Sequence, residues 1–117
     1  MKILFVCSAN KQRSKTAEDY FASMYINHEF LSAGTNLKII RKEGTTVLTE
    51  NLLEWAEAVY VMRKRHLEQI QKHTGSAFYS KIKVLNIPDI YKYYDGCLIA
   101  LLEEKVLFKC HYSGNKK

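Results

Sequence analysis

A chain of 117 residues, 47% hydrophobic and 26% charged, suits one folded domain over residues 1–117 and excludes a disordered polymer. No apolar run approaches membrane-span length, and Ile3–Val6 after Lys2 is too short for a secretory leader, so the expectation is a cytoplasmic protein that engages no membrane. The 18 Lys and Arg against 12 Asp and Glu leave +6, which suits phosphate esters, acidic protein surfaces or nucleic acid, unless the cations only solvate the surface.

The first strand is expected at Lys2–Val6, an apolar run bounded by a polar loop. A helix follows over Ser14–His28, with Ala17, Tyr20, Phe21, Met24 and Tyr25 on its inner face. Phe30–Leu31 lead into Ser32-Ala33-Gly34-Thr35, a second strand ending at a glycine. Residues 36–48 read as a loop with a short apolar piece at Leu37–Ile40. Thr49 is placed to cap a helix carrying Leu52, Leu53 and Trp55, with Trp55 in the core. Ala58–Met62 is the third strand, residues 64–74 a basic helix stopped by Gly75, and Lys81–Leu85 the fourth strand. A loop with Pro88, Asp89, Tyr91, Tyr93, Tyr94 and Asp95 precedes a last helix from Gly96 to about Lys109.

Strands alternating with helices predict an α/β protein: a four-stranded parallel sheet between two helical layers. Ligands in such sheets sit at the carboxyl ends of the strands, near the switch point. Cys7 stands at the end of the first strand, and the loop with Asp89 should open onto the same edge.

The segment Cys7-Ser8-Ala9-Asn10-Lys11-Gln12-Arg13 then becomes the candidate site. A loop between a strand and a helix turns backbone N–H groups inward, and together with the helix dipole these attract anions. The same positive end favours a thiolate, the nucleophilic form of cysteine. Arg13 can hold two phosphate oxygens with its planar fork, which lysine does less well. Asn10 tolerates a left-handed backbone, Ser14 can donate to sulfur, and Ser8 can assist. The alternative is a buried structural thiol. Cys7, Cys97 and Cys110 form no CxxC pair and no zinc-spaced cluster with histidine, so neither a disulfide framework nor a metal is expected. His28, His66, His73 and His111 are given no catalytic role.

Cys7-x5-Arg13-Ser14, with Asn10 inside the loop, resembles the signature of low-molecular-weight protein tyrosine phosphatases. Ser32–Thr35, Ala58–Met62 with Arg63–His66, and Leu85–Asp89 resemble further segments of that family, the last in a compact bacterial branch. The resemblance implies a flavodoxin-like sheet of order 2-1-3-4. It also implies a phosphomonoester hydrolase, acting on phosphorylated protein or small phosphomonoesters without a cofactor. Cys7 would attack phosphorus and form a phosphocysteine; Arg13 and the loop residues Ser8, Ala9, Asn10, Lys11, Gln12 and Ser14 would hold the phosphoryl oxygens. An aspartic acid would protonate the leaving oxygen. Asp89 is preferred over Asp95, whose Asp-Gly setting equally suits a turn or cap. Tyr91, with Tyr93 and Tyr94, could wall the pocket or simply cover the sheet edge. Here the order Pro88-Asp89 replaces the family's Asp-Pro pair, and Gln12 stands where a second loop cysteine often lies. Three rivals stand beside it: an arsenate reductase or a phosphate- or nucleic-acid-binding module without hydrolysis on the same scaffold, and a phosphocysteine carrier, which also begins with a strand ending in Cys-Ser-Ala.

Overall fold

The computed structural model describes residues 1–106, so Leu107, Cys110, His111 and the tail lie outside the described residues; the last helix, expected to reach about Lys109, ends at Lys105, where Val106 turns to extended backbone. β1 (Lys2–Cys7), β2 (Glu29–Gly34), β3 (Ala58–Val61) and β4 (Ile82–Val84) form one parallel sheet of order β2-β1-β3-β4. Between and after them come α1 (Arg13–Met24), α2 (Leu37–Glu43), α3 (Glu50–Trp55), α4 (Lys64–Thr74) and α5 (Gly96–Lys105). This is the expected flavodoxin-like architecture.

Alternation along the central strand builds two cores. Ile3, Phe5 and Cys7 face α1 and α5, where Phe21, Leu98 and Leu102 are buried with them. Leu4 and Val6 face the other way, toward Leu53 of α3 and Ile70 of α4. Phe5 is the hub of the first core, with ring centroids 5.6 Å from Phe21, 6.2 Å from Phe30 and 5.7 Å from Tyr60. Both faces of β1 are therefore dry, which is why its sequence is uninterrupted in its hydrophobicity.

Three expectations need correction. The first helix ends at Met24, not His28: Tyr25 leaves helical geometry, and Glu29 N–H is already pinned to Met1 O at 2.8 Å to start β2. Met24 consequently lies exposed rather than inward. Residues 37–43, read as loop, form α2. Asn36 Oδ1 accepts from Ile39 N–H at its start, and Gly44, in the left-handed region at φ 72°, ends it. Only Ile40 of this helix is buried, too little for a periodic hydrophobic signal. Trp55 is only half-buried, packed at the margin of the second core.

The expected caps elsewhere are present. Thr49 Oγ1 accepts from Leu52 N–H at 3.2 Å, and Gly75, at φ 64°, follows the last turn of α4. The order of the sheet reverses direction between β1 and β3, so the loops after these two strands part to opposite faces and open a crevice at the end of β1.

Candidate active site

The loop from Cys7 to Arg13 is shaped mainly by what its carbonyls bond. Cys7 O accepts from Thr35 N–H and Ser8 O from Asn36 N–H, both at 3.0 Å, and Ala9 O accepts from Thr45 Oγ1 at 2.6 Å. With these carbonyls turned outward, the trans peptides aim the following N–H groups inward. Asn10 N–H accordingly points at Cys7 Sγ, 3.3 Å away.

This close docking depends on Gly34, paired with Cys7 in the sheet. A Cβ at residue 34 would lie 2.6 Å from Ser8 O and 3.0 Å from both Asn10 N and Ile40 Cδ1. Only glycine lets the second strand approach the loop so closely.

Asn10 adopts the expected left-handed conformation, at φ 54°, and its buried amide organises the site. Nδ2 donates to Ser14 Oγ (2.9 Å) and Ser32 Oγ (2.8 Å), while Oδ1 accepts from Thr46 N–H (3.1 Å). Ser32 Oγ–H in turn donates to Glu18, which pairs with Lys15. Ser14 Oγ, already accepting from Asn10, has its hydroxyl proton free for Cys7 Sγ at 3.0 Å. A thiolate at Cys7 would thus be met by two donors, one hydroxyl and one peptide.

Arg13 is buried in spite of its charge. Nη1 donates to Ile87 O at 2.9 Å, and Nε lies 3.7 Å from Asp89 Oδ1, a carboxylate more than half exposed. Burial lowers the Arg13 pKa, opposed by the negative charges of Cys7 and Asp89. Cys7, Ala9, Lys11, Gln12, Arg13 and Asp89 line one cleft of about 160 Å³. Lys11 extends to Glu43 on α2 at 3.1 Å. A larger cleft of about 350 Å³ lies beyond Gly34, between α3 and α4, and takes in neither Cys7 nor Arg13.

Asp95 is the N-cap of α5, its Oδ1 accepting from Cys97 N–H at 2.7 Å. Tyr91 is half-buried against the first core, while the cleft wall on that side comes from Asp89. Tyr93 bonds Asp19, and Tyr94 N–H donates to Thr16 Oγ1 at 2.8 Å. These contacts hold the 91–94 segment over α1.

His66 was missed in the sequence. It is fully buried on α4, and its Nδ1 accepts from Arg63 N–H at 3.0 Å. The proton therefore resides on Nε2, which donates to Ser8 Oγ at 3.0 Å. Burial, then the charges of Arg13, Arg65 and Arg63, lower its pKa to about 4. Ser32 and Gly34 were visible within a picked segment, but their roles needed the packing. His66 likewise stood within the resembling segment Arg63–His66, but its contact could not be read there, since its partner lies 58 residues away.

No family model matches the sequence, and no curated protein sequence matches it. Solved structures do. The low-molecular-weight protein tyrosine phosphatase of T. tengcongensis superposes with a TM-score of 0.73 and 23% identity, over 93% of this chain and 99% of that one. For the tyrosine phosphatase AmsI of Erwinia amylovora the values are 0.70 and 20%, over 89% and 87%. For the arginine phosphatase YwlE of Geobacillus stearothermophilus they are 0.69 and 20%, over 98% and 96%. The chain therefore has the fold of the low-molecular-weight protein tyrosine phosphatases.

Proposed function

We propose that the chain is a cysteine-dependent phosphomonoester hydrolase, a protein tyrosine phosphatase working through a phosphocysteine. The reading is carried by one convergence: a sulfur between two hydrogen-bond donors, a buried guanidinium and a loop carboxylate share a single cleft. Phosphatases among the proteins of like fold support it.

In the first step the Cys7 thiolate attacks phosphorus. The S–P bond forms as the ester P–O bond breaks, and Asp89 gives its proton to the departing oxygen. Arg13 is anchored through Nη1 on Ile87 O, which leaves its Nε side toward Asp89 and the cleft. An arriving phosphate monoanion takes over that side, and Asp89, released from Arg13, takes up the proton of that monoanion, which it then gives to the departing oxygen. The inward N–H groups hold the equatorial oxygens. In the second step Asp89 takes a proton from water, the water oxygen attacks phosphorus, and the S–P bond breaks. Inorganic phosphate leaves, and the Ser14 hydroxyl stabilises the returning thiolate. Phosphorylated proteins or small phosphomonoesters are the substrates, and the scheme draws on no cofactor.

Hydrolysis of p-nitrophenyl phosphate tests this. Cys7→Ser abolishes turnover, Arg13→Ala lowers it by about 10³-fold, and Asp89→Asn lowers kcat by about 10²-fold. A folded wild type without turnover refutes hydrolysis and leaves the carrier or binding-module readings. A kcat hurt more by Asp95→Asn than by Asp89→Asn overturns the acid assignment.

A further inference from the structure

Arg63, Lys64 and Arg65 occupy an unfavourable place for cations. They are the N-cap and first two residues of α4, where the helix dipole repels positive charge, and the first turn carries no acid. All three are exposed, and none makes an ion pair among the described residues. Packing does not account for them either, since the buried residues of α4 are His66 and Ile70.

Their position relates them to the cleft. Met62 N–H donates to Val6 O at 3.0 Å, so the chain leaves β3 beside the start of the phosphate loop. His66 then ties Arg63 N–H to Ser8 Oγ, which fixes the basic segment against that loop. Arg63 and Arg65 act as like charges on both Arg13 and His66. The cation on the cleft's other rim, Lys11, is already paired with Glu43. The charges of Arg63, Lys64 and Arg65, by contrast, meet no acidic partner among the described residues. Next to Asp89 an apolar side chain is offered instead, Ile90, 75% exposed.

We propose that Arg63, Lys64 and Arg65 form a charge-reading rim that selects phosphorylated polypeptides with acidic residues beside the phosphorylated side chain. This rests on the phosphatase reading of the same cleft. A short cationic cluster facing an apolar residue fits a chain of mixed acidic and apolar side chains. A polynucleotide, with charge at every step, calls for cations spread along a groove.

Two phosphotyrosyl peptides, identical except for acidic or amide flanking residues, provide the test. Wild type hydrolyses the acidic peptide with kcat/KM roughly tenfold higher at low ionic strength, the difference residing in KM and shrinking as salt is added. Arg63→Gln/Lys64→Gln/Arg65→Gln brings the ratio to about one, whereas Arg63→Lys/Arg65→Lys keeps most of it, because the rim acts through charge. Equal use of both peptides by wild type, or an unchanged ratio in the triple variant, overturns the proposal. So does a triple variant that loses activity on a 5′-phosphorylated oligonucleotide while its peptide ratio stands. Fluorescence anisotropy with the same peptides separates the two readings. Acidic preference in binding, lost in the triple variant, without any turnover, would refute hydrolysis and leave the rim intact.

Discussion

His66 should act as an internal pH sensor of stability. Its imidazole is buried and neutral, with Nδ1 accepting from Arg63 N–H and Nε2–H donating to Ser8 Oγ. Protonation would set an Nδ1 proton against the Arg63 N–H and add a charge near Arg13, Arg65 and Arg63. The folded chain therefore refuses a proton that the unfolded chain accepts. The difference between 6.5 and about 4 corresponds to about 3 kcal/mol. The sign follows from linkage: the pKa is lowered on folding, so the contribution is intact above the unfolded value of 6.5 and lost as pH falls toward about 4. Urea unfolding of wild type and His66→Gln, at about pH 7 and about pH 4.5, isolates it, because carboxylate titration is common to both chains. Wild type should lose roughly 2–3 kcal/mol more than the variant on acidification. NMR of the imidazole should place its midpoint close to 4. A midpoint close to 6.5, or equal losses in both chains, would refute the reasoning.

Gly34→Ala puts a Cβ 2.6 Å from Ser8 O, a backbone atom that can yield only by moving the loop. The expected result is a loss of about 1–3 kcal/mol in urea unfolding and a kcat for the proposed hydrolysis reduced by at least about tenfold. Ser14→Ala removes the hydroxyl between Cys7 Sγ and the Asn10 amide. Steady-state kinetics should show kcat falling about tenfold or more with KM little changed, while an unaltered kcat would remove Ser14 from the thiolate's support. Asp95→Ala deletes the α5 cap at Cys97 N–H. It should destabilise by about 1 kcal/mol in denaturant melts and leave kcat close to wild type, which separates a cap from a catalytic acid.

Much of the fold is written locally. The apolar runs of β1 and β3, the caps Thr49 and Gly75, and the strand–helix alternation each act within a few residues, so they could be read without the fold. The loop from Cys7 to Arg13 was legible for the same reason: Cys7, Asn10, Arg13 and Ser14 lie within one strand–loop–helix unit, and Asn10 Nδ2 and Cys7 Sγ meet Ser14 inside it. α2 escaped notice because a single buried side chain, Ile40, sets no period, although Asn36 and Gly44 marked both its ends.

What the tertiary structure decided is everything that joins distant segments. The two aspartates were set apart in position: Asp89 came to lie 3.7 Å from Arg13 Nε, while Asp95 capped α5. The roles of Gly34, Ser32 and His66 arise from contacts between residues 22 or more apart in number or from a Cβ-free approach of β2 to the loop after β1. The amino-acid sequence by itself determined which elements form and which loop could carry a nucleophile, because caps, periodicity and turn conformation are short-range. It did not determine which side chains surround that loop, because long-range neighbours are selected by strand order and side-chain fit, which exist only once the sheet has assembled.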